Sequence, residues 1–158
     1  MAKTVKPIPD GYTTVTPYLT VNDAARAIEF YKQAFGAEES MRLAQPDGKL
    51  AHAEIRIGGS AIMLHDEAPK WQALSPKTIG GTASSIMLYV RDADAVIERA
   101  LKAGATLNMA AADQFYGDRC GNVTDPFGHK WIIATHVEDV PPAEVRQRAA
   151  KLFQQQQG

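Results

Sequence analysis

The stretch Val21-Asn22-Asp23-Ala24 returns later in the chain, with one substitution, as Val90-Arg91-Asp92-Ala93. Each copy lies where an alternating apolar pattern ends and a helical pattern begins. A repeat that falls at the same structural boundary indicates a duplicated supersecondary unit. The chain is therefore predicted to contain two copies of one module.

The helix that follows each copy has the same kinds of capping residue at both ends. Asp23 and Asp92 stand where a carboxylate can cap the free amides of the first turn. Gly36 and Gly104 follow the predicted last turns, where glycine readily takes the left-handed conformation that ends a helix. Apolar residues recur at helical spacing in both copies. They are Ala24, Ala27, Ile28, Tyr31 and Phe35 in the first, and Ala93, Val96, Ile97 and Ala100 in the second.

Strand patterns precede and follow each helix, with turn sequences between them. The chain thus reads as α+β, with two tandem βαβββ modules and a C-terminal helix in a single domain, 1–158. Module one spans 12–66, the intermodule loop 67–83, module two 84–136 and the C-terminal helix 141–153. The predicted strands are 14–21, 38–43, 50–57 and 61–66 in module one, and 84–90, 106–110, 118–124 and 130–135 in module two.

Composition narrows the class of protein. With 158 residues, 45% of them hydrophobic, the chain can bury one sizeable core. The net charge of -1, with 17 Lys and Arg spread along the chain, argues against a nucleic-acid partner. Cys120 is the only cysteine, so an intrachain disulfide is excluded. No apolar run is long enough for a signal peptide or a membrane span, and we expect a cytoplasmic protein with no membrane partner.

The doubled module, with Asp125-Pro126-Phe127-Gly128 before its last strand, resembles the glyoxalase/bleomycin-resistance/extradiol-dioxygenase superfamily, also called vicinal oxygen chelate (VOC). The resemblance covers 14–135 and implies a curved mixed sheet around a small-molecule cleft. Four further segments resemble the PhnB-like branch. That resemblance does not indicate a particular activity. The four segments are Pro7-Ile8-Pro9-Asp10-Gly11-Tyr12, Ala34-Phe35-Gly36-Ala37, Asp113-Gln114-Phe115-Tyr116-Gly117-Asp118-Arg119 and Ala134-Thr135-His136-Val137-Glu138-Asp139-Val140.

Strand alternation predicts which side chains face the cleft, because residues two apart share a face and the apolar set should lie under the helix. On the first strand Val15, Leu19 and Val21 form the helix-side set. The last strand is apolar on both faces, so its phase stays open. The predicted ligand-binding residues are Thr16, Tyr18, His52, Glu54, Met63, His65, Ser85, Met87 and Tyr89 on strands, with Phe115, Tyr116 and Arg119 nearby.

The resemblance also implies positions for metal ligands on the first and last strands of each module. Counting from the matched residues places Thr16, Ser85 and Ile132 there, with Met63 or His65 as the fourth. Divalent metals prefer imidazole nitrogen and carboxylate oxygen, which most of these residues lack. We therefore expect no metal cofactor at the usual site. An alternative is a displaced site formed by His52, Glu54 and His65.

Two hypotheses follow, and the sequence leaves catalysis open between them. The first is a metal-free small-molecule-binding protein that resembles the drug-sequestering members of the superfamily. The second is a metal-dependent lyase, isomerase or dioxygenase that uses His52, Glu54 and His65, with Glu54 also serving as a base. Under either hypothesis, analogy with the superfamily and the apolar face of the C-terminal helix lead us to expect a homodimer.

Overall fold

A computed structural model describes residues 5–156 and divides them between two compact units. The first unit contains the chain up to Thr82 together with Pro126–Gly128. The second contains Ala83–Asp125 and the chain from His129 onward. The ends of the predicted domain, 1–4 and 157–158, lie outside the described residues.

The first unit is a βαβββ module. Its four-stranded sheet has the order β1-β4-β3-β2, with β1 parallel to β4 and the other pairs antiparallel. Part of the intermodule loop is helical, with a 3₁₀ turn at Pro69–Trp71 and a short helix α2 at Pro76–Ile79. The elements of the module are β1 Tyr18–Val21, α1 Ala24–Phe35, β2 Glu38–Ala44, β3 Leu50–Ile57 and β4 Ser60–Asp66.

The second unit repeats this topology. Its sheet has the order β5-β8-β7-β6, again with the first and last strands parallel. The prediction of two βαβββ modules is therefore confirmed. The elements are β5 Ser85–Tyr89, α3 Ala93–Lys102, β6 Thr106–Asp113, β7 Asp118–Thr124 and β8 Lys130–His136, followed by the C-terminal helix α4 Pro142–Gln155.

The two modules also hold their helix starts in the same way. The carboxylates of Asp23 and Asp92 each accept a hydrogen bond from the backbone N–H three residues later, at 3.1 Å and 3.0 Å. Near the end of the last strand of each module, Asp66 and Thr135 accept the first amide of α1 and α3, both at 2.9 Å. Each module thus ties its last strand to its helix N-terminus.

The first strand begins later than predicted. The prediction of a strand from residue 14 is wrong, because β1 starts at Tyr18. Pro17 has no N–H for a ladder and joins only through its carbonyl, which accepts from the Met63 N–H at 2.9 Å. Val15, predicted to lie under the helix, is 80% exposed because it lies outside the strand.

Each helix covers one face of its sheet. In the first unit Ala53, Ile55 and Leu64 are fully buried, as alternation requires. In the second unit Trp131 and Ile133 are fully buried, which settles the phase of β8. Ile132 consequently lies on the face turned away from α3.

Helix α4 is held by ion pairs, since none of its described side chains is buried. The Arg148 guanidinium donates to Glu138 at 2.7 Å and 2.9 Å, to Glu144 at 2.6 Å, and to the Phe115 carbonyl at 3.2 Å. Phe153, on the predicted apolar face, is 56% exposed. The apolar face of α4 therefore stays open to solvent in this chain.

Candidate functional site

Each sheet has one face packed against its own helix and an opposite face that we call the open face. On the open face of the first unit, Tyr18 lies on β1, His52 and Glu54 on β3, and Met63 on β4. Met63 is the register partner of both Tyr18 and Glu54. Pairing across the sheet therefore brings these predicted residues together.

A chain of hydrogen bonds connects these side chains. The Tyr18 hydroxyl lies 2.7 Å from His52 Nδ1, and His52 Nε2 lies 3.0 Å from Glu54 Oε1. The Tyr12 hydroxyl donates to the other carboxylate oxygen of Glu54. Because a carboxylate only accepts, His52 Nε2 carries the proton, and Nδ1 of a neutral ring accepts from Tyr18. We call Tyr12, Tyr18, His52 and Glu54 the tyrosine–histidine–glutamate network.

Electrostatics shifts the pKa values of the carboxylate and of both phenols in this network. Hydrogen bonds from His52 and then from Tyr12 lower the pKa of Glu54, so its carboxylate stays ionised at neutral pH. The hydrogen bond to Glu54 raises the pKa of Tyr12. Burial, followed by the negative charge of Glu54, raises the pKa of Tyr18. Both phenols therefore remain neutral donors around one anion.

Arg56 and Tyr12 close one side of this face. The Arg56 guanidinium lies 5.5 Å from the centroid of the Tyr12 ring, within cation–π range. A Cβ at Gly11 would lie 2.7 Å from Arg56 Nη2, so only glycine lets the chain pass here without displacing the guanidinium. Tyr12 was missed because it lies before the first strand, where alternation carries no information.

His65 lies beside the network without joining it. Its Nδ1 donates to the Asp66 carbonyl at 2.7 Å, and its Nε2 lies 3.1 Å from the Thr20 hydroxyl. Its ring meets the edge of Tyr18 at a centroid distance of 5.0 Å. Between residues 5 and 156, no group of three His, Cys, Asp or Glu side chains is placed to hold a metal ion. The structure therefore does not assemble His52, Glu54 and His65 into the displaced metal site.

The structure shows where the residues at the superfamily's metal-ligand positions lie. Thr16 precedes β1, while Met63 lies on β4 next to the network. Ser85 and Ile132 lie on neighbouring strands and line one pocket of the second unit. A hydroxyl, a thioether and an aliphatic side chain are a poor donor set for Zn²⁺ or Fe²⁺.

The open face of the second unit carries Tyr89 and a buried carboxylate. The Tyr89 hydroxyl donates to Asp118 Oδ2 at 2.8 Å, and His136 Nδ1 lies 2.8 Å from Asp118 Oδ1. Asp118 is only 4% exposed. Hydrogen bonds to Asp118 and then to Asp139 raise the pKa of His136. His136, the last residue of β8, thus shares Asp118 with Tyr89.

Arg119 lies on the helix side of its sheet and not on the open face, and its role in ligand binding stays a prediction. Its guanidinium holds Asp94 of α3 at 2.6 Å and 2.9 Å, and Asp113 at 3.2 Å. Alternation along β7 puts Arg119 and Asp118 on opposite faces. Its charge is therefore committed to carboxylates on the helix side.

The predicted loop aromatics lie in the turn between β6 and β7. The rings of Phe115 and Tyr116 meet edge to face at 5.2 Å, and the Tyr116 hydroxyl lies 3.5 Å from Cys120 Sγ. That contact raises the pKa of Tyr116 to about 12.

Among the predicted residues, Met87 and Tyr89 share the open face of β5 with Ser85.

Two βαβββ units, each with its first and last strands paired in parallel, define the class as the VOC fold. The sequence profile of the glyoxalase/bleomycin resistance protein/dioxygenase superfamily matches residues 11–133, and the chain belongs to that superfamily. Within residues 5–156, no helix is long and apolar enough to cross a membrane.

Three relatives illustrate the similarity. An uncharacterised protein of Mycobacterium bovis is 47% identical over 135 residues, covering 84% of this chain and 89% of its own. Protein PA1353 of Pseudomonas aeruginosa is 27% identical with a TM-score of 0.63, covering 80% of this chain and 99% of its own. A Bacillus cereus PhnB protein, described as a putative 3-demethylubiquinone-9 3-methyltransferase, is 17% identical with a TM-score of 0.60, covering 78% and 99%, and supports the fold alone.

Proposed function

We propose that this chain is a small-molecule-binding protein that lacks the usual metal ligands of its superfamily. The observation that carries the proposal is the tyrosine–histidine–glutamate network on the open face of the first unit. Its histidine and glutamate side chains are 20% and 14% exposed, so they are preorganised yet reachable. Such a mixture of apolar surface and fixed polar groups is typical of ligand sites.

The network favours a ligand with both polar and aromatic or aliphatic character. Glu54 supplies a fixed anion and Arg56 a nearby cation, an arrangement that suits a zwitterionic or dipolar ligand. Tyr18, which is 53% exposed, and Met63 supply the adjoining apolar surface. Capture without chemistry needs only groups that are already held in place, as the hydrogen bonds from Tyr12 and His52 hold Glu54.

A thermal-shift screen with Glu54→Gln tests this proposal. Metabolites and antibiotics that bind the folded protein raise its melting temperature by mass action. We expect Glu54→Gln to lose most of the ligand-induced shift, because it removes the anion while keeping the shape. Glu98→Gln, on the exposed face of α3, is the matched control and should keep the full shift. Equal shifts in the wild type and Glu54→Gln, or no shift with any compound, would contradict the proposal.

The expected homodimer belongs to this proposal as well. Val137, Leu152 and Phe153 leave large apolar side chains exposed near the C-terminal end of the described chain. Sedimentation-velocity measurements at micromolar concentration should give the mass of two chains. A single-chain mass across that range would contradict a stable homodimer. The cytoplasmic location stays a prediction.

A further inference from the structure

A second candidate site lies in the second unit, separate in residues from the tyrosine–histidine–glutamate network. It is a pocket of about 160 Å³ on the open face, formed by β5, β7 and β8 with the bulged part of β6. We call it the asparagine pocket. It is lined by Ser85, Asn108, Asn122, Val123, Lys130, Trp131 and Ile132.

Asn122 has an unsatisfied acceptor at this pocket. Its side-chain oxygen Oδ1 is buried and has no hydrogen-bond partner within the described part of the chain. A buried polar atom left unpaired costs about 1–3 kcal/mol, so proteins rarely keep one without a use. The register holds Asn122 between Met109 and Ile132 in the middle of the sheet. Asn122 also lines the pocket, so a ligand whose donor reaches this oxygen would satisfy it.

The other polar groups of the asparagine pocket are mainly donors. Lys130 makes no ion pair within residues 5–156, and no Asp or Glu lines the pocket. The Asn108 oxygen already accepts from the Thr124 hydroxyl at 2.8 Å, which leaves the Asn108 amide N–H groups to donate. Ser85 adds a hydroxyl opposite Lys130 in the register. The Lys130 cation and the donors of Asn108 and Ser85 favour an anionic ligand. The buried acceptor of Asn122 favours a ligand that also carries one hydrogen-bond donor.

We propose that the asparagine pocket binds a small carboxylic acid that also carries a hydroxyl or N–H group. The carboxylate lies toward Lys130 and Ser85, and the donor meets Asn122 Oδ1. A cavity of about 150 Å³ holds benzene, so one substituted ring is a suitable size. This inference rests on the proposed small-molecule-binding function and assigns a ligand class to a second part of it.

Three probes of nearly equal size test the ligand class. They are 3-hydroxybenzoate, its neutral analogue 3-hydroxybenzamide, and benzoate, which lacks the hydroxyl donor. In a ¹H–¹⁵N NMR titration, 3-hydroxybenzoate should shift the Asn122 side-chain amide signals, which are assigned by their loss in Asn122→Val. It should bind about tenfold more tightly than either analogue, the scale expected for one charge-assisted or one buried hydrogen bond.

Two variants separate the contributions. Lys130→Gln should lose the preference for 3-hydroxybenzoate over the amide, and Asn122→Val should lose the preference for 3-hydroxybenzoate over benzoate. Lys151→Gln, on α4, should keep both preferences. A cooperative melting transition at or above the wild-type temperature shows that an unliganded variant is folded, and Lys130→Met replaces Lys130→Gln if the latter is not.

The outcomes distinguish this inference from the proposed function. Binding that shifts the His52 signals but not those of Asn122, or that ignores both variants, overturns the inference and leaves the proposed function standing. No binding of any probe at millimolar concentration also overturns the inference. A wider screen in which no compound moves either set of signals overturns both.

Discussion

At the scale of single residues, Asp125 explains why the Asp125-Pro126-Phe127-Gly128 turn precedes the last strand. Its carboxylate, 2% exposed, accepts from the His129 N–H and from Trp131 Nε1, both at 2.9 Å. Phe127 of the same turn is buried against Phe30 and Tyr31 of α1 in the first unit. Packing and hydrogen bonding therefore explain the motif.

His136 makes the stability of the second unit depend on pH. Its pKa is raised above the ordinary value of 6.5, first by Asp118 and then by Asp139. A raised pKa in the folded state means that the stabilisation is complete below the unfolded pKa and is lost as pH rises through the folded pKa. The wild type should therefore lose its advantage over a variant that cannot titrate as pH increases.

Melting temperatures of the wild type and His136→Gln, compared from about pH 5.5 to about pH 8.5, measure this effect. We expect the largest difference at the acidic end and a steady decrease above the ordinary histidine pKa. Glutamine keeps a donor for Asp118, so the variant isolates the charge. A difference that stays constant across this range would contradict the assignment.

At the scale of elements, the duplicated module allows a paired test of how strands hold helices. Asp66 accepts two backbone amides, that of Ala24 at 2.9 Å and that of Leu50 at 2.6 Å. Thr135, its counterpart, accepts only that of Ala93 at 2.9 Å. A carboxylate with two amides stabilises more than a hydroxyl with one.

We therefore expect Asp66→Ala to cost about 2–4 kcal/mol and Thr135→Ala about 0.5–1.5 kcal/mol. For a chain of this size, each kcal/mol corresponds to about 2–4 °C in melting temperature. Asp66→Asn, which keeps one acceptor, should fall between the two. Equal losses for both alanine variants would show that the second amide contact of Asp66 contributes nothing.

The sequence predicts the elements well because the signals for them are local. Helices α1 and α3 have their period, caps and terminal glycines within a dozen residues, and both start where predicted. The boundary error at β1 also has a local cause, since Pro17 was read as part of an alternating strand. Alternation from Asp118 to Thr124 is enough to put Arg119 on the face opposite Asp118, so the position of Arg119 was predictable from the sequence.

The candidate site was harder to predict, because its hydrogen bonds connect residues that are distant in sequence. Tyr12 and Glu54 are 42 positions apart, and Tyr89 and Asp118 are 29 apart. Such pairs depend on strand register, which turn geometry sets and residue type alone does not. The His52 and Glu54 pair was predictable, since both lie two residues apart on one strand. The asparagine pocket was missed because an amide among donors has no sequence pattern.

At the scale of the whole molecule, a superfamily fold carries a polar network whose hydrogen bonds are formed within the chain. The His65 ring is hydrogen-bonded to Thr20 and Asp66, and the Glu54 carboxylate is hydrogen-bonded to Tyr12 and His52. These groups are satisfied within the chain, so a metal ion would have to break the network to bind. The proposed ligand capture needs no such rearrangement of the network.

The most direct test of this account is ligand binding by protein stripped of metal. Chelator-treated, tag-free protein is titrated with hits from the thermal-shift screen, and the His52 and Glu54 signals are followed by NMR. The same ligands should bind with unchanged affinity and shift these signals before any divalent metal is added. Binding that appears only after Zn²⁺, Fe²⁺, Ni²⁺ or Mn²⁺ is restored would contradict it.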